Sequence, residues 1–271
     1  MNGRGVRVRE LAGWGLDQDE YRPDSLDHSK LVDARSIAGR RPPFQTECAV
    51  VDVEDSALCI RFAELKLRPD LQEEMTGLDW SLGIVDLRLL LAFQRRLVLN
   101  RAEPRILLPA PEDWTALVDL SFGPPKPVVC ELVRSETTIL FHSGNPNLHF
   151  RFSADPANPI TVHGGSPFFE VAQYRGRWFL RDGYHRAYAL LCAGVFRLPA
   201  VIVEARSLEE LGAVHPWFFT EEVLFSSSPP RVTDFLDDAL VLEYDRTPLI
   251  KTLRLTMEEI FTSATPSGED L

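Results

Sequence analysis

The heptapeptide Leu180-Arg181-Asp182-Gly183-Tyr184-His185-Arg186 brings a carboxylate, a glycine, an imidazole and a guanidinium together where a strand runs into a helix. Glycine permits backbone angles and a close approach that a side chain forbids. The first N–H groups of the helix have no partner inside it and carry positive partial charge, so they attract an anion. His185 and Arg186 fall in that first turn, where the helix dipole alone disfavours cations. Two such groups set against the dipole make sense with an anion among them, and Arg186 can grip phosphate or carboxylate through two bonds. Asp182 can cap the helix, hold His185 or Arg186, or take part in metal or proton handling. The chemistry expected of this turn is the holding of an anion, nucleotide phosphate above all.

Other side chains bear on the same turn. Glu170 lies on the strand entering it, and alternation points it with Phe168 and away from Phe169 and Val171. A carboxylate there can bind Mg²⁺ or take a proton from a substrate hydroxyl, or simply face solvent. His163-Gly164-Gly165-Ser166 reads as a loop within reach of a ligand. Tyr188 shares a helix face with Tyr184 and reads as core. Trp217-Phe218-Phe219 reads as core too, with stacking over a base as the alternative. His142, His149 and His215 lack the spacing of zinc ligands.

These residues need elements to place them. The sequence predicts strands over Phe168–Gln173 and Trp178–Leu180, joined by a turn at Tyr174-Arg175-Gly176-Arg177. A helix over Tyr184–Ala193 ends at Gly194, and a further strand covers Ala200–Val203. Upstream, residues 1–45 read as a loosely packed polar arm. Cys48–Val53 and Ala57–Phe62 read as a hairpin about Glu54-Asp55-Ser56. Asp79 to Leu99 reads as a buried helix, apolar on most faces, capped by Asp79 and closed by Arg95 and Arg96. Then come a short strand at Ile106–Leu108, a helix opened by Pro111-Glu112-Asp113 and reaching Leu120, and a rigid Pro124–Pro127 linker. Strands follow at Val128–Val133, Thr137–Phe141 and His149–Phe152, the last after a break at Ser143–Asn147. Beyond residue 206, Ser207–Leu211 reads as one or two helical turns, Leu240–Tyr244 as a strand, Thr256–Phe261 as a short helix and Thr262–Leu271 as frayed.

The pattern Pro167-Phe168-Phe169-Glu170-Val171, Trp178 to Arg186, Ala193-Gly194-Val195 and Leu198-Pro199-Ala200-Val201 resembles the ParB/sulfiredoxin superfamily. About forty residues carry the resemblance well. It implies an α/β (α+β) class with a core of mixed sheet and helices, and a phosphate-binding loop matched by Gly183, Tyr184, His185 and Arg186. Sulfiredoxins have a cysteine where Tyr184 stands, so sulfiredoxin chemistry is not expected. Segregation-type ParB proteins have Glu-Arg-Arg after the glycine and a DNA-binding module downstream, whereas only 65 residues follow Arg206 here. The string comes nearest to the superfamily's free-serine kinase branch, Asp-Gly-His-His-Arg, with Tyr184 replacing the first His.

The bulk numbers agree with a globular chain that can bury a core: 271 residues, 45% apolar and 25% charged. The net charge of -11 repels a polyanion, so nucleic acid is an unexpected partner. Cys48, Cys59, Cys130 and Cys192 form no C-x-x-C pair and read as buried thiols. No run of about 20 apolar residues is long enough to span a bilayer, and a cytoplasmic location without membrane is expected. Residues 1–105 are read as an N-terminal hairpin-plus-helix region, 106–206 as the ParB/sulfiredoxin-like domain and 207–271 as a C-terminal extension. The expected function is nucleotide-dependent phosphotransfer to a small molecule, or nucleotide hydrolysis. ATP, ADP or CTP with Mg²⁺ is the expected cofactor, with Asp182, His185 and Glu170 the expected catalytic residues and no firm metal ligand. A non-catalytic nucleotide sensor, or a DNA-binding or nuclease protein, is the alternative.

Overall fold

The apolar run that begins at Trp80 is a strand. In the computed structural model, which describes residues 5–24, 28–52, 55–99, 108–124, 128–152 and 156–261, the chain is a mixed α+β protein. Its elements are β1 (Val6–Leu11), α1 (His28–Gly39), β2 (Val50–Val51), α2 (Ser56–Leu65), α3 (Pro69–Glu74), β3 (Trp80–Asp86), β4 (Arg96–Leu99) and α4 (Trp114–Ser121). Then come β5 (Glu131–Arg134), β6 (Thr138–Ser143), β7 (His149–Phe152), β8 (Ile160–His163), β9 (Glu170–Tyr174), β10 (Arg177–Asp182), α5 (Tyr184–Cys192) and β11 (Arg197–Glu204). The chain closes with α6 (Leu208–Leu211), α7 (Glu221–Leu224), β12 (Val241–Arg246) and β13 (Lys251–Thr256).

Two compact units are present. The larger, residues 1–125 with 166–248, holds a five-stranded sheet in the order β10-β9-β11-β3-β2 and a three-stranded sheet β12-β1-β4. The smaller, residues 126–165 with 249–271, holds the sheet β13-β6-β5 and the hairpin β7-β8.

Several sequence expectations are corrected here. The expected helix over Asp79–Leu99 is β3, one 3-10 turn at Leu87–Leu89, an irregular stretch and β4. Residues 83–86 of β3 are buried one after another, so both faces are covered there, and a doubly buried stretch has no period to distinguish it from a helix. Gly83 marks the strand: a Cβ there would stand 2.7 Å from Ile202 Cδ1 on β11.

The expected hairpin over 48–62 is a short strand β2 followed by helix α2. Asp55 caps α2 by accepting from the N–H of Ala57 and Leu58, and Leu58, Phe62 and Leu65 recur at helical spacing into the core.

The expected polar arm is β1 and α1. Strand β1 buries charge: Glu10 is 0% exposed and receives two bonds from the Arg22 guanidinium, one from the Tyr244 hydroxyl at 2.9 Å and an ion pair from Arg96 at 3.0 Å. A buried carboxylate is tolerated because its oxygens are paired this fully. The residues that made the segment look like solvent-facing chain are the ones that fasten it. At the far end, the expected helix over Thr256–Phe261 is absent: β13 occupies Lys251–Thr256 and residues 257–261 are irregular. The cysteines are not buried thiols, since Cys48, Cys59 and Cys192 are exposed and Cys130 partly so. The strand at 106–108 and the frayed tail fall almost wholly outside the described residues.

Other expectations stand. Helix α4 is capped by Asp113, which accepts from Ala116 N–H at 3.2 Å. The run β9, turn, β10, α5, β11 follows the predicted order, with Arg175 and Gly176 both at positive φ in the turn and Gly194 at φ 75 after α5.

Candidate functional site

Strand β9 pairs antiparallel with β10 and parallel with β11, so α5 crosses between two strands of one sheet and its first turn lies at the end of β10. The β9–β10 ladder slips by one residue between Leu180 and Asp182, a bulge that sets Arg181 and Asp182 together opposite Glu170.

Gly183 stands at φ 101 as the residue before α5, and a Cβ on it would meet the Phe169 ring at 2.5 Å. Both the left-handed angle and the ring require glycine. Gly183→Ala is therefore expected to cost at least about 2 kcal/mol, measured by urea denaturation, as strain adds to overpacking. A loss below about 0.5 kcal/mol would mean that the turn relaxes freely.

Three of the four residues expected to cradle phosphate have scaffold duties as well. Tyr184 is buried, and its hydroxyl accepts from the N–H of Phe93 at 3.0 Å and of Gln94 at 3.3 Å; burial pushes its pKa above the usual phenol range. Arg186 donates to three carbonyls, Leu120 at 3.1 Å, Pro167 at 2.8 Å and Phe168 at 2.6 Å, with its guanidinium 5.6 Å from the centre of the Phe169 ring. It ties the end of α4 to the entrance of β9. Exposed His185 sets Nε2 3.0 Å from the Val98 carbonyl of β4.

The carboxylates are the groups whose protonation is most perturbed. Glu170 is 1% exposed, which overturns the solvent-facing alternative. The Arg181 guanidinium pairs with its Oε2 while also donating to the Glu210 carbonyl, and its buried Oε1 has no hydrogen bond. Burial raises the Glu170 pKa, opposed by Arg181. Asp182 keeps some solvent access although its carboxyl is crowded by protein. Burial first, then the charge of Glu170, push its pKa up to about 7, against the pull of Arg186, the Gly183 N–H and Arg181. Two carboxyls this close share their titration, so the charge change near neutral pH belongs to the pair.

The role of Arg181 was legible in the hairpin register. Counting outward from the Arg175-Gly176 turn sets residue 181 opposite Glu170 before the bulge shifts the pairing. The His163–Ser166 loop contributes Ser166, whose hydroxyl accepts from Phe168 N–H at 3.1 Å and lies near the Glu170 carboxylate, whose pKa it helps to lower, without bonding to Oε1.

Among the described residues no three His, Cys, Asp or Glu side chains gather as a metal cage. Glu170 nonetheless fits Mg²⁺ as it binds beside nucleotides, through one or two carboxylates with phosphates and water completing the shell. The oxygen Oε1 of Glu170, buried without a partner, is the atom such an ion would satisfy.

Elsewhere in the larger unit an open groove of about 320 Å³ is lined by residues that include Pro43, Phe44, Arg88 and Arg231; none of residues 182–186 borders it. No helix among the described residues is long and apolar enough to cross a membrane. No family model matches the chain, and no curated protein or solved structure shows significant similarity to it.

Proposed function

We propose that the start of α5 binds the phosphates of a nucleotide, ATP, ADP or CTP with Mg²⁺, and that the protein transfers a phosphoryl group to a small molecule in the cytoplasm. The strand–turn–helix–strand unit supplies the ParB/sulfiredoxin-like core of this reading. The observation that carries it is the pair Asp182 and Glu170 at the foot of a helix N-terminus. Asp182 titrates at about 7, and Glu170 keeps a buried oxygen without a partner.

First-turn N–H groups of α5 are the donors that would hold the anion. His185, exposed on that turn, adds a contact to the phosphate. Arg186 and Tyr184 position the turn. Asp182 takes the proton of the acceptor hydroxyl as that oxygen forms its bond to phosphorus. The bond to the departing nucleotide breaks, and its electron pair stays on the departing phosphate oxygen. A base near pH 7 suits that task. Mg²⁺ held by Glu170 would supply charge neutralisation on the phosphates.

Calorimetry with ATP, ADP and CTP plus Mg²⁺, with ³¹P NMR to follow transfer, tests the reading on wild type and Asp182→Asn. One nucleotide should bind both proteins, and transfer should fall by about 100-fold or more in the variant. Failure of all three nucleotides to bind overturns the reading. The commitment of Tyr184 and Arg186 to the backbone favours a second reading, a nucleotide sensor, which binding without turnover would select.

A further inference from the structure

We propose that the groove beside Phe44 is a separate ligand site for an organic monocarboxylate, one carboxylate on an apolar body, with Arg231 as the cation that grips it. Phe44, Glu47, Arg88, Leu89 and Arg231 all border this one open space of about 320 Å³, and none of residues 182–186 does. A concave space of that size, with apolar walls and few polar groups, suits a small molecule. Main-chain bonds fix its walls. Phe44 N–H donates to the Ser227 carbonyl at 2.7 Å. Arg231 is flanked by two more, Ala92 N–H to the Pro230 carbonyl at 2.9 Å and Val232 N–H to the Leu90 carbonyl at 3.0 Å.

Arg231 departs from the arginines around it. Arg88 commits its guanidinium to both oxygens of Asp86 and lies 4.7 Å from the centre of the Phe196 ring. Arg177 donates to the carbonyls of Leu224 and Ser226. Arg41 grips both oxygens of Asp234, one of which also accepts the Arg231 main-chain N–H. The Arg231 guanidinium, half-buried, has no hydrogen bond or ion pair to a described residue. Its Nε is enclosed without an acceptor, and the group stands 5.5 Å from the centre of the Phe44 ring. A cation set in a wall without a counter-charge is costly to hold, and an anion in the groove removes that cost. The other charges of the lining choose the class. Arg88 is already neutralised by Asp86, and exposed Glu47 repels a second negative charge. One carboxylate therefore suits Arg231 better than a phosphate dianion, and Pro43, Phe44 and Leu89 offer the surface for an apolar body.

The test follows amide NMR of the full chain during titration with benzoate, phenylacetate, the neutral isostere benzamide and phenyl phosphate. Wild type is compared with Arg231→Gln, Arg231→Lys and Glu47→Gln, and circular dichroism verifies that the variants fold. The expected result is that both carboxylates shift resonances beside Phe44, Leu89 and Arg231. Exchanging benzoate for benzamide, or Arg231 for Gln, should weaken binding there about ten-fold or more, and Arg231→Lys should retain part of it. Phenyl phosphate should bind the groove of wild type more weakly than benzoate and gain on it in Glu47→Gln. Equal carboxylate affinity in wild type and Arg231→Gln, or benzamide bound as tightly as benzoate, overturns Arg231 as the grip. Phenyl phosphate bound there more tightly than benzoate overturns the monocarboxylate class. No shift beside the groove from either carboxylate overturns the site itself.

Discussion

Replacing Arg186 by alanine is expected to destabilise the larger unit by roughly 3–5 kcal/mol, a large share of the stability of an ordinary domain. The substitution strips hydrogen bonds from the carbonyls of Leu120, Pro167 and Phe168 and removes the cation beside Asp182. Buried acceptors left without donors cost more than the bonds themselves contributed. Arg186→Lys should recover the charge but only part of the stability, because an ammonium has no planar fork to span three carbonyls. Urea denaturation of the three proteins measures this. A loss below about 1 kcal/mol for Arg186→Ala would return Arg186 to the role its position first suggested, that of an anion ligand. The consequence is practical: lost nucleotide binding in Arg186→Ala does not separate a broken site from a broken fold, so binding is tested through other residues.

Asp182→Asn should have the opposite sign. The Asp182 carboxyl titrates at about 7 in the folded protein and at its ordinary 3.8 when unfolded. Between those values the folded chain holds a proton that the unfolded chain has released, so stability falls as pH rises from about 4 to about 7. This is the reverse of a salt-bridged carboxylate, whose contribution appears as pH rises. Asparagine mimics the protonated form at every pH. The variant should therefore match wild type near pH 4 and exceed it by about 2–4 kcal/mol at pH 8, solvent access to Asp182 and its coupling to Glu170 setting the lower figure. Denaturation at both pH values reads the difference. A gain in stability with a loss of phosphoryl transfer would mark a residue kept for chemistry at the expense of the fold. Equal stability at pH 8 would mean that Asp182 is ionised without strain.

The same network explains what was legible in the sequence. The unit from β9 to β11 could be read because every local signal agreed: a turn at Arg175-Gly176, a glycine before α5, Gly194 after it and a proline in the strand that follows. Strand β3 could not be read by periodicity, since burial on both faces removes the period, though Gly83 and the branched pair Ile84-Val85 were signals against a helix. Strand β1 was obscured for a different reason. Its Arg9 and Glu10 are charged yet almost fully buried, and only the distant partners Asp238, Glu243, Arg22 and Tyr244 make that tolerable.

Arginine acts as a fastener throughout the larger unit. Arg9, Arg68, Arg95, Arg177, Arg181 and Arg186 all donate to main-chain carbonyls, most of them remote in sequence. A lone sequence cannot separate such an arginine from one that waits for phosphate, because the guanidinium fork serves both acceptors. The candidate site was thus legible in position but not in the division of labour. Gly183, Tyr184 and Arg186 shape the turn, while Asp182 and Glu170 are its burial-shifted carboxyls.

The most direct test of the central claim is amide NMR of the full chain during titration with pyrophosphate and Mg²⁺. The account expects the N–H resonances of Tyr184, His185 and Arg186 to move first and furthest, with Asp182 and Gly183 following. Resonances that stay fixed at α5 while those beside Phe44 and Arg231 move, or no movement anywhere, would contradict it.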